Sequence, residues 1–144
     1  MLKKTLIFTL LFLVAIQFLP VDKTNPPVND KITLSAPKDV MGILKKACYD
    51  CHSFETKWPY YSDIAPVSFF VAAHVKDARK ALNFSKYKEI DKDIKKKRLE
   101  RAVMTVNNGR MALPSYVSAH DEAKLSKDEK ILLTEWFKKE IAKL

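Results

Sequence analysis

Two rhythms of hydrophobic and polar residues divide this chain. From Thr5 to Val21 the run TLIFTLLFLVAIQFLPV carries no charge over 17 residues and follows directly on Lys3 and Lys4. From Lys38 onward the apolar residues return at helical spacing instead. Val40, Leu44, Ala47 and Cys51 mark one amphipathic helix, and VSFFVAAHVKDARKAL after Pro66 marks a second. Ile90, Ile94, Leu99, Val103 and Val106 point inward on a third, expected over roughly Tyr87 to Asn108 and stopped by Asn107-Asn108-Gly109. Ser126-Lys127-Asp128-Glu129 reads as a capping box that opens a last helix bearing Leu132, Leu133, Trp136, Phe137 and Ile141. Between them, SFETKWPYYSDI and GRMALPSY lack a period and contain proline, so both are expected as loops. No strand alternation and no internal repeat is visible. The fold class is all-α.

The N-terminal run has the form of an export signal, with a basic flank before an apolar stretch. The stretch Ala15-Ile16-Gln17-Phe18-Leu19-Pro20 offers no pair of small residues for signal peptidase. Residues 1–21 are therefore expected to stay as an uncleaved anchor in the inner membrane, the alternative being a cleaved signal and a soluble periplasmic protein. Residues 22–37 hold three prolines and no helical period, which predicts an extended linker. The folded domain is expected over 38–144, outside the cytoplasm.

Composition narrows the function classes. With 144 residues and 47% hydrophobic content, one domain with a real core is expected, not a disordered polyelectrolyte. The net charge of +9 suits an anionic surface or partner. The run Lys95-Lys96-Lys97-Arg98 reads first as a solvated helix face, and no nucleic-acid partner is expected. Two cysteines cannot build a multi-bridge secreted scaffold.

Those two cysteines carry the chemistry. Cys48-Tyr49-Asp50-Cys51-His52 is a CxxCH, in which two thiols one helical turn apart can meet the two vinyl groups of a haem. The histidine after the second thiol then sits under the iron as proximal ligand. A thioredoxin-like redox pair would call for a βαβ context, and a zinc site for further ligands; neither is present in the pattern. Covalent haem c, one per chain, is the expected cofactor, since its attachment in bacteria takes place across the membrane.

The sixth iron ligand has several candidates. Met41 shares a helix with the CxxCH and cannot cross the haem plane, and Met104 sits mid-helix as expected core filler. Met111 lies in a proline-containing loop 59 residues after His52, free to approach from the other face. His74 shares a helix face with Val67, Val71 and Ala78, and His120 precedes Asp121 near a helix end. Met111 is the favoured ligand, with His74 and His120 as alternatives. Trp58, Tyr60, Tyr61, Phe69 and Phe70 could line the haem edge, and Arg79 and Arg110 are propionate partners by charge alone.

The stretch CYDCHSFETKWPYYSDIAPVSFFVAAHVKDARKALNFSKY, the later GRMALPSYVSAHDEAKLS and the lead-in QFLPVDKTNPPV together resemble the small haem-binding domain of many exported bacterial proteins, particularly from Bacteroidetes. The resemblance runs from Gln17 onward. It implies a mono-haem c fold with Cys48, Cys51 and His52 as attachment and proximal residues, and Met111 in the distal loop. In that family proline commonly follows this methionine directly, whereas here Ala112 intervenes and proline comes at Pro114. The expected architecture is a c-type cytochrome-like bundle of about four to five helices around one covalent haem, preceded by the N-terminal hydrophobic helix.

Two functions follow as expectations. A His/Met-ligated haem leaves no open iron position, which points to an electron carrier with unidentified redox partner proteins rather than an enzyme. The alternative is a haem-based small-molecule sensor or peroxidase-like enzyme, with an open or displaceable distal site and His74 as distal acid–base group.

Overall fold

A computed structural model describes all residues 1–144 and is helical throughout, without strands. In chain order the helices are α1 (Leu2–Ala15), α2 (Lys38–Ala47), α3 (Tyr49–His52), α4 (Val67–Ala81), α5 (Lys92–Asn107), α6 (Pro114–Val117) and α7 (Lys127–Ala142). Four long helices, α2, α4, α5 and α7, thus form the domain with two single-turn helices. Three-residue-per-turn segments lie at Ile16–Phe18, Tyr60–Asp63, Phe84–Glu89 and Asp121–Ala123.

The core sits where α2 and α5 pack on α7. Leu44, Leu99 and Leu133 have no exposed surface, and Val40, Phe84, Val106 and Phe137 close around them. The apolar rhythm of α2 and α7 is what brings these residues together. Ser126 caps α7 in a complete capping box with Glu129, and Glu129 also pairs with Lys46 at 2.6 Å, tying α7 to α2. Asp91 caps α5 by accepting from the N–H groups of Asp93 and Ile94. Gly109 follows α5 at φ +73°, the left-handed geometry expected of its Asn-Asn-Gly stop.

Three expectations are corrected. The third helix starts at Lys92, not Tyr87: residues 84–89 form a tighter turn that buries Phe84 and Tyr87, and Asp91 provides the cap. Ile94 is 48% exposed and Met104 53% exposed, so neither fills the core. Residues 22–37 have no helix and run extended on either side of a turn at 30–33, but they are not a free tether. The Leu34 N–H donates to the Phe84 carbonyl at 2.8 Å and the Lys88 N–H to the Ile32 carbonyl at 2.9 Å. Leu34 itself lies in the core at 4% exposure, so the folded unit begins upstream of Lys38.

Every residue of α1 is exposed, and its 14 residues span about 21 Å at 1.5 Å per residue. No helix of the structure is long and apolar enough to cross a membrane. The Gln17 side chain beyond α1 meets the domain twice: its amide NH₂ donates to the Ala65 carbonyl at 3.0 Å and its oxygen accepts from the Ala65 N–H at 2.9 Å.

Candidate functional site

The CxxCH lies at the break between α2 and α3. Cys48 leaves helical geometry at φ −130°, and α3 then makes one turn through Cys51 and His52. Asp50, between the cysteines, is held from three directions. Its carboxylate accepts from the Tyr116 hydroxyl at 2.6 Å and from the Lys57 N–H at 3.0 Å, while its carbonyl accepts from the Thr56 hydroxyl at 2.7 Å. These bonds fix the turn that sets the spacing of the two thiols.

The cysteines are free and half-buried. Burial, with the neighbouring Cys51, pushes the Cys48 thiol up to about 12. Burial and the adjacent Asp50 push Cys51 up to about 11. A redox-active pair needs a lowered thiol pKa, so both shifts oppose that chemistry. For Cys51, a rise from 9.0 to about 11 lowers the thiolate fraction at neutral pH about a hundredfold. In the haem-free chain, iodoacetamide should accordingly label both thiols far more slowly at pH 7 than it labels glutathione. The rate should climb only at strongly alkaline pH, and labelling of either cysteine at the glutathione rate would contradict these surroundings.

His52 is positioned by the segment after α4. Its Nδ1–H donates to the Leu82 carbonyl at 2.8 Å, which sets the tautomer and leaves Nε2 as the atom available to a metal. Burial lowers its pKa, outweighing the Leu82 and Ala78 carbonyls, which favour the charged ring. A neutral imidazole with one nitrogen anchored is the form a metal requires. Phe84 packs against this ring with centroids 5.8 Å apart.

A cleft of about 370 Å³ opens beside His52. Cys51, His52, Phe70, His74, Met111 and Tyr116 are among its lining residues. A second cavity of about 310 Å³ shares Cys51, Phe70, His74, Leu113 and Tyr116 with it, so the two adjoin along these residues and together make an apolar trough. Its walls come from α3, α4, the segment over residues 56–61, Arg101 of α5, and the 111–113 loop with α6. Val67, Val71, His74 and the buried Val75 of α4 line the second cavity, and Ala73, His74 and Ala78 line the first.

The structure therefore gathers Cys51, His52, Met111 and His74 at one cleft and leaves His120 away from it. The Glu122 carboxylate can only accept, so His120 Nδ1–H donates to it at 3.2 Å. Its Nε2 then accepts from the Tyr61 hydroxyl at 2.8 Å, and Tyr116 stacks on the ring at 4.3 Å between centroids. Both ring nitrogens are occupied. Met111 is half-buried against the core, and its N–H donates to the Thr105 carbonyl at 3.0 Å, which anchors the loop to α5. His74 is exposed, with Nδ1–H given to the Phe70 carbonyl of its own helix at 2.8 Å.

Of the two arginines expected near a propionate, Arg79 is otherwise engaged. It donates to the Ser53 carbonyl at 2.8 Å, the Thr24 carbonyl at 2.9 Å, the Asn25 side-chain oxygen at 2.7 Å and the Thr56 hydroxyl at 2.9 Å. Arg110 is exposed and contributes only its backbone to the loop. The arginine that does line the cleft is Arg101 on α5, which sequence reasoning missed. Its one available signal was its place on the last turns of the helix leading to Met111. The indole N–H of Trp58 is buried without any partner, a donor still lacking an acceptor.

No group of three or more His, Cys, Asp and Glu side chains converges on a metal-sized point. The donors fit a haem: two thiols three positions apart, an anchored neutral imidazole and an apolar trough beside them, although Cys48 and Trp58 line neither cavity. No curated protein and no solved structure gives a match to this chain. A family model described as a haem-binding domain matches residues 11–139, nearly the whole chain with its N-terminal strap, and the chain belongs to that haem-binding family.

Proposed function

We propose that this haem-binding domain is a mono-haem c-type electron-transfer protein, exported and held at the outer face of the inner membrane. Cys48 and Cys51 would be joined to the haem by thioethers, His52 would ligate through Nε2, and Met111 would be the sixth ligand. The observation that carries this reading is the single cleft shared by Cys51, His52 and Met111, with the imidazole already anchored through Leu82. A bound haem supplies one-electron chemistry; the chain supplies ligation, a dry trough and a fixed geometry. Leu82 orients the proximal ring, and Asp50 holds the attachment turn through Tyr116 and Lys57. Phe70, Val71 and Leu113 give the trough apolar walls. With His52 and Met111 both holding the iron, electron exchange with redox partner proteins would need no substrate at the metal.

Denaturing electrophoresis with haem staining tests the attachment. A band at the chain's mass is expected for the natural protein, and Cys51→Ser should remove most of the stain. Haem that leaves the natural protein in acidified solvent would overturn covalent attachment while leaving haem binding intact.

The second reading, a small-molecule sensor or peroxidase-like enzyme, is favoured by one observation. His74 lies on the same cleft with Nε2 free of hydrogen bonds. Ready binding of carbon monoxide by the reduced natural protein would select that reading.

A further inference from the structure

The joint between α1 and the domain is rigid. Gln17 grips both backbone groups of Ala65, Lys23 pairs with Asp63, the Asn25 amide donates to the Thr56 carbonyl at 2.8 Å, and Arg79 takes the Thr24 carbonyl. Four separate ties within nine residues leave no slack between the exposed apolar helix and the folded unit. The grip also brings together two distant segments of the chain that each carry exposed apolar side chains. Phe18 and Leu19, just after Gln17, are 83% and 55% exposed, and Ile64, just before Ala65, is 53% exposed. Tyr60, in the same turn as the Asp63 that binds Lys23, is 81% exposed. Neither Tyr60 nor Ile64 lines the haem trough, so a haem would not cover them. Val67, beside them, does line it, at the mouth.

We infer that this face, Phe18, Leu19, Tyr60 and Ile64, is a membrane-docking surface whose occupant is the phospholipid bilayer that receives α1. The inference rests on the proposal that α1 holds the chain to a membrane. Four considerations select lipid. The patch is continuous with α1, every residue of which is exposed. Gln17 lies inside the 3-10 segment Ile16–Phe18 that continues α1 without a break, so the domain cannot swing clear of the surface that α1 enters. A tyrosine at the edge of an aliphatic patch suits the water–lipid boundary, apolar body inward and hydroxyl wet. The net charge of +9 favours an anionic leaflet. The domain is thus held in one orientation, with the Val67 mouth of the trough beside the bilayer, where a membrane-bound electron donor or acceptor can reach it.

Photo-crosslinking of the full haem-loaded chain tests this in vesicles of phosphatidylethanolamine and phosphatidylglycerol. Benzoylphenylalanine is placed singly at Phe8, Tyr60, Ile64 or Lys138, the last on α7, which packs on α2 and α5 rather than on α4. Lipid adducts are read by mass spectrometry. Adducts are expected at Phe8, Tyr60 and Ile64 and not at Lys138. Combining Gln17→Ala with Asp63→Ala should lower the Tyr60 and Ile64 adducts several-fold, keep the Phe8 adduct and leave the haem absorption spectrum unchanged. Adducts at Phe8 alone in the natural chain would show a domain loose on its tether and overturn the inference while sparing the tether. Absence of an adduct even at Phe8 would overturn both. Crosslinks from Tyr60 to a second copy of the chain would make the patch a dimer face and overturn it as well.

Discussion

Met111→Ala should convert a closed iron into an open one. In the ferric natural protein a weak long-wavelength charge-transfer band is expected from sulfur–iron ligation, and the variant should lose it. The reduced variant should bind carbon monoxide readily, where the natural protein binds it poorly. The reduction potential should fall, because a thioether stabilises ferrous over ferric iron relative to water or imidazole. The structural grounds are the placement of Met111 on the His52 cleft, its half-burial, and the anchoring of its loop to Thr105. His74→Ala separates the two axial readings. That ring is exposed and already spends Nδ1 on Phe70, so its loss should leave both observables nearly unchanged. Should the His74 variant open the iron while the Met111 variant keeps a six-coordinate low-spin spectrum, the ligands are two histidines.

What the sequence disclosed, and what it hid, divides along physical lines. Local signals came through. The Ser126–Glu129 capping box, the Gly109 stop and the rhythm of Val40, Leu44 and Ala47 depend on neighbours a few residues away, and each is found in the structure. The all-α class followed from them, and the haem-binding family from the several stretches that resemble it, although the seven helices exceed the four to five expected. Long-range use of polar groups did not come through. Gln17 sits in the uncharged N-terminal run with no sign of a partner, yet it clasps Ala65 some 48 residues away. His120, an alternative iron ligand by sequence, is held between Tyr61 and Glu122. Arg101 carried no local mark and lines the cleft. A proline-rich extended segment reads as a linker from composition, because nothing in its own residues reports the Phe84 and Lys88 backbone groups that pin it.

Arg79 is the sharpest instance, and it carries the largest expected effect on stability. Sequence reasoning placed it beside a haem propionate by charge; in the structure its planar fork ties three segments together. Nε and Nη2 reach inward to the Ser53 carbonyl and the Thr56 hydroxyl, just after the CxxCH turn, while the other bonds hold Thr24 and Asn25 of the strap. The guanidinium also lies over the Phe54 ring at 5.3 Å. Thr24 and Asn25 are exposed, so water can replace those two bonds at little cost. Ser53 is fully buried and Thr56 6% exposed, and their oxygens would lose a charged donor with less access to water. Arg79→Ala should therefore cost about 3 kcal/mol, about 1.5 kcal/mol for each inner bond to a charged group. Arg79→Lys should recover at most half, since a single ammonium cannot span the fork that reaches Ser53 and Thr56 together. Denaturant midpoints of the haem-free chain measure both, with hydrogen exchange at the hydrogen-bonded Leu34 and Lys57 amides reporting whether the 22–37 segment and the turn come apart together. A loss below about 1 kcal/mol for the alanine variant would mean that water substitutes inside as well as outside, and that the strap holds without Arg79.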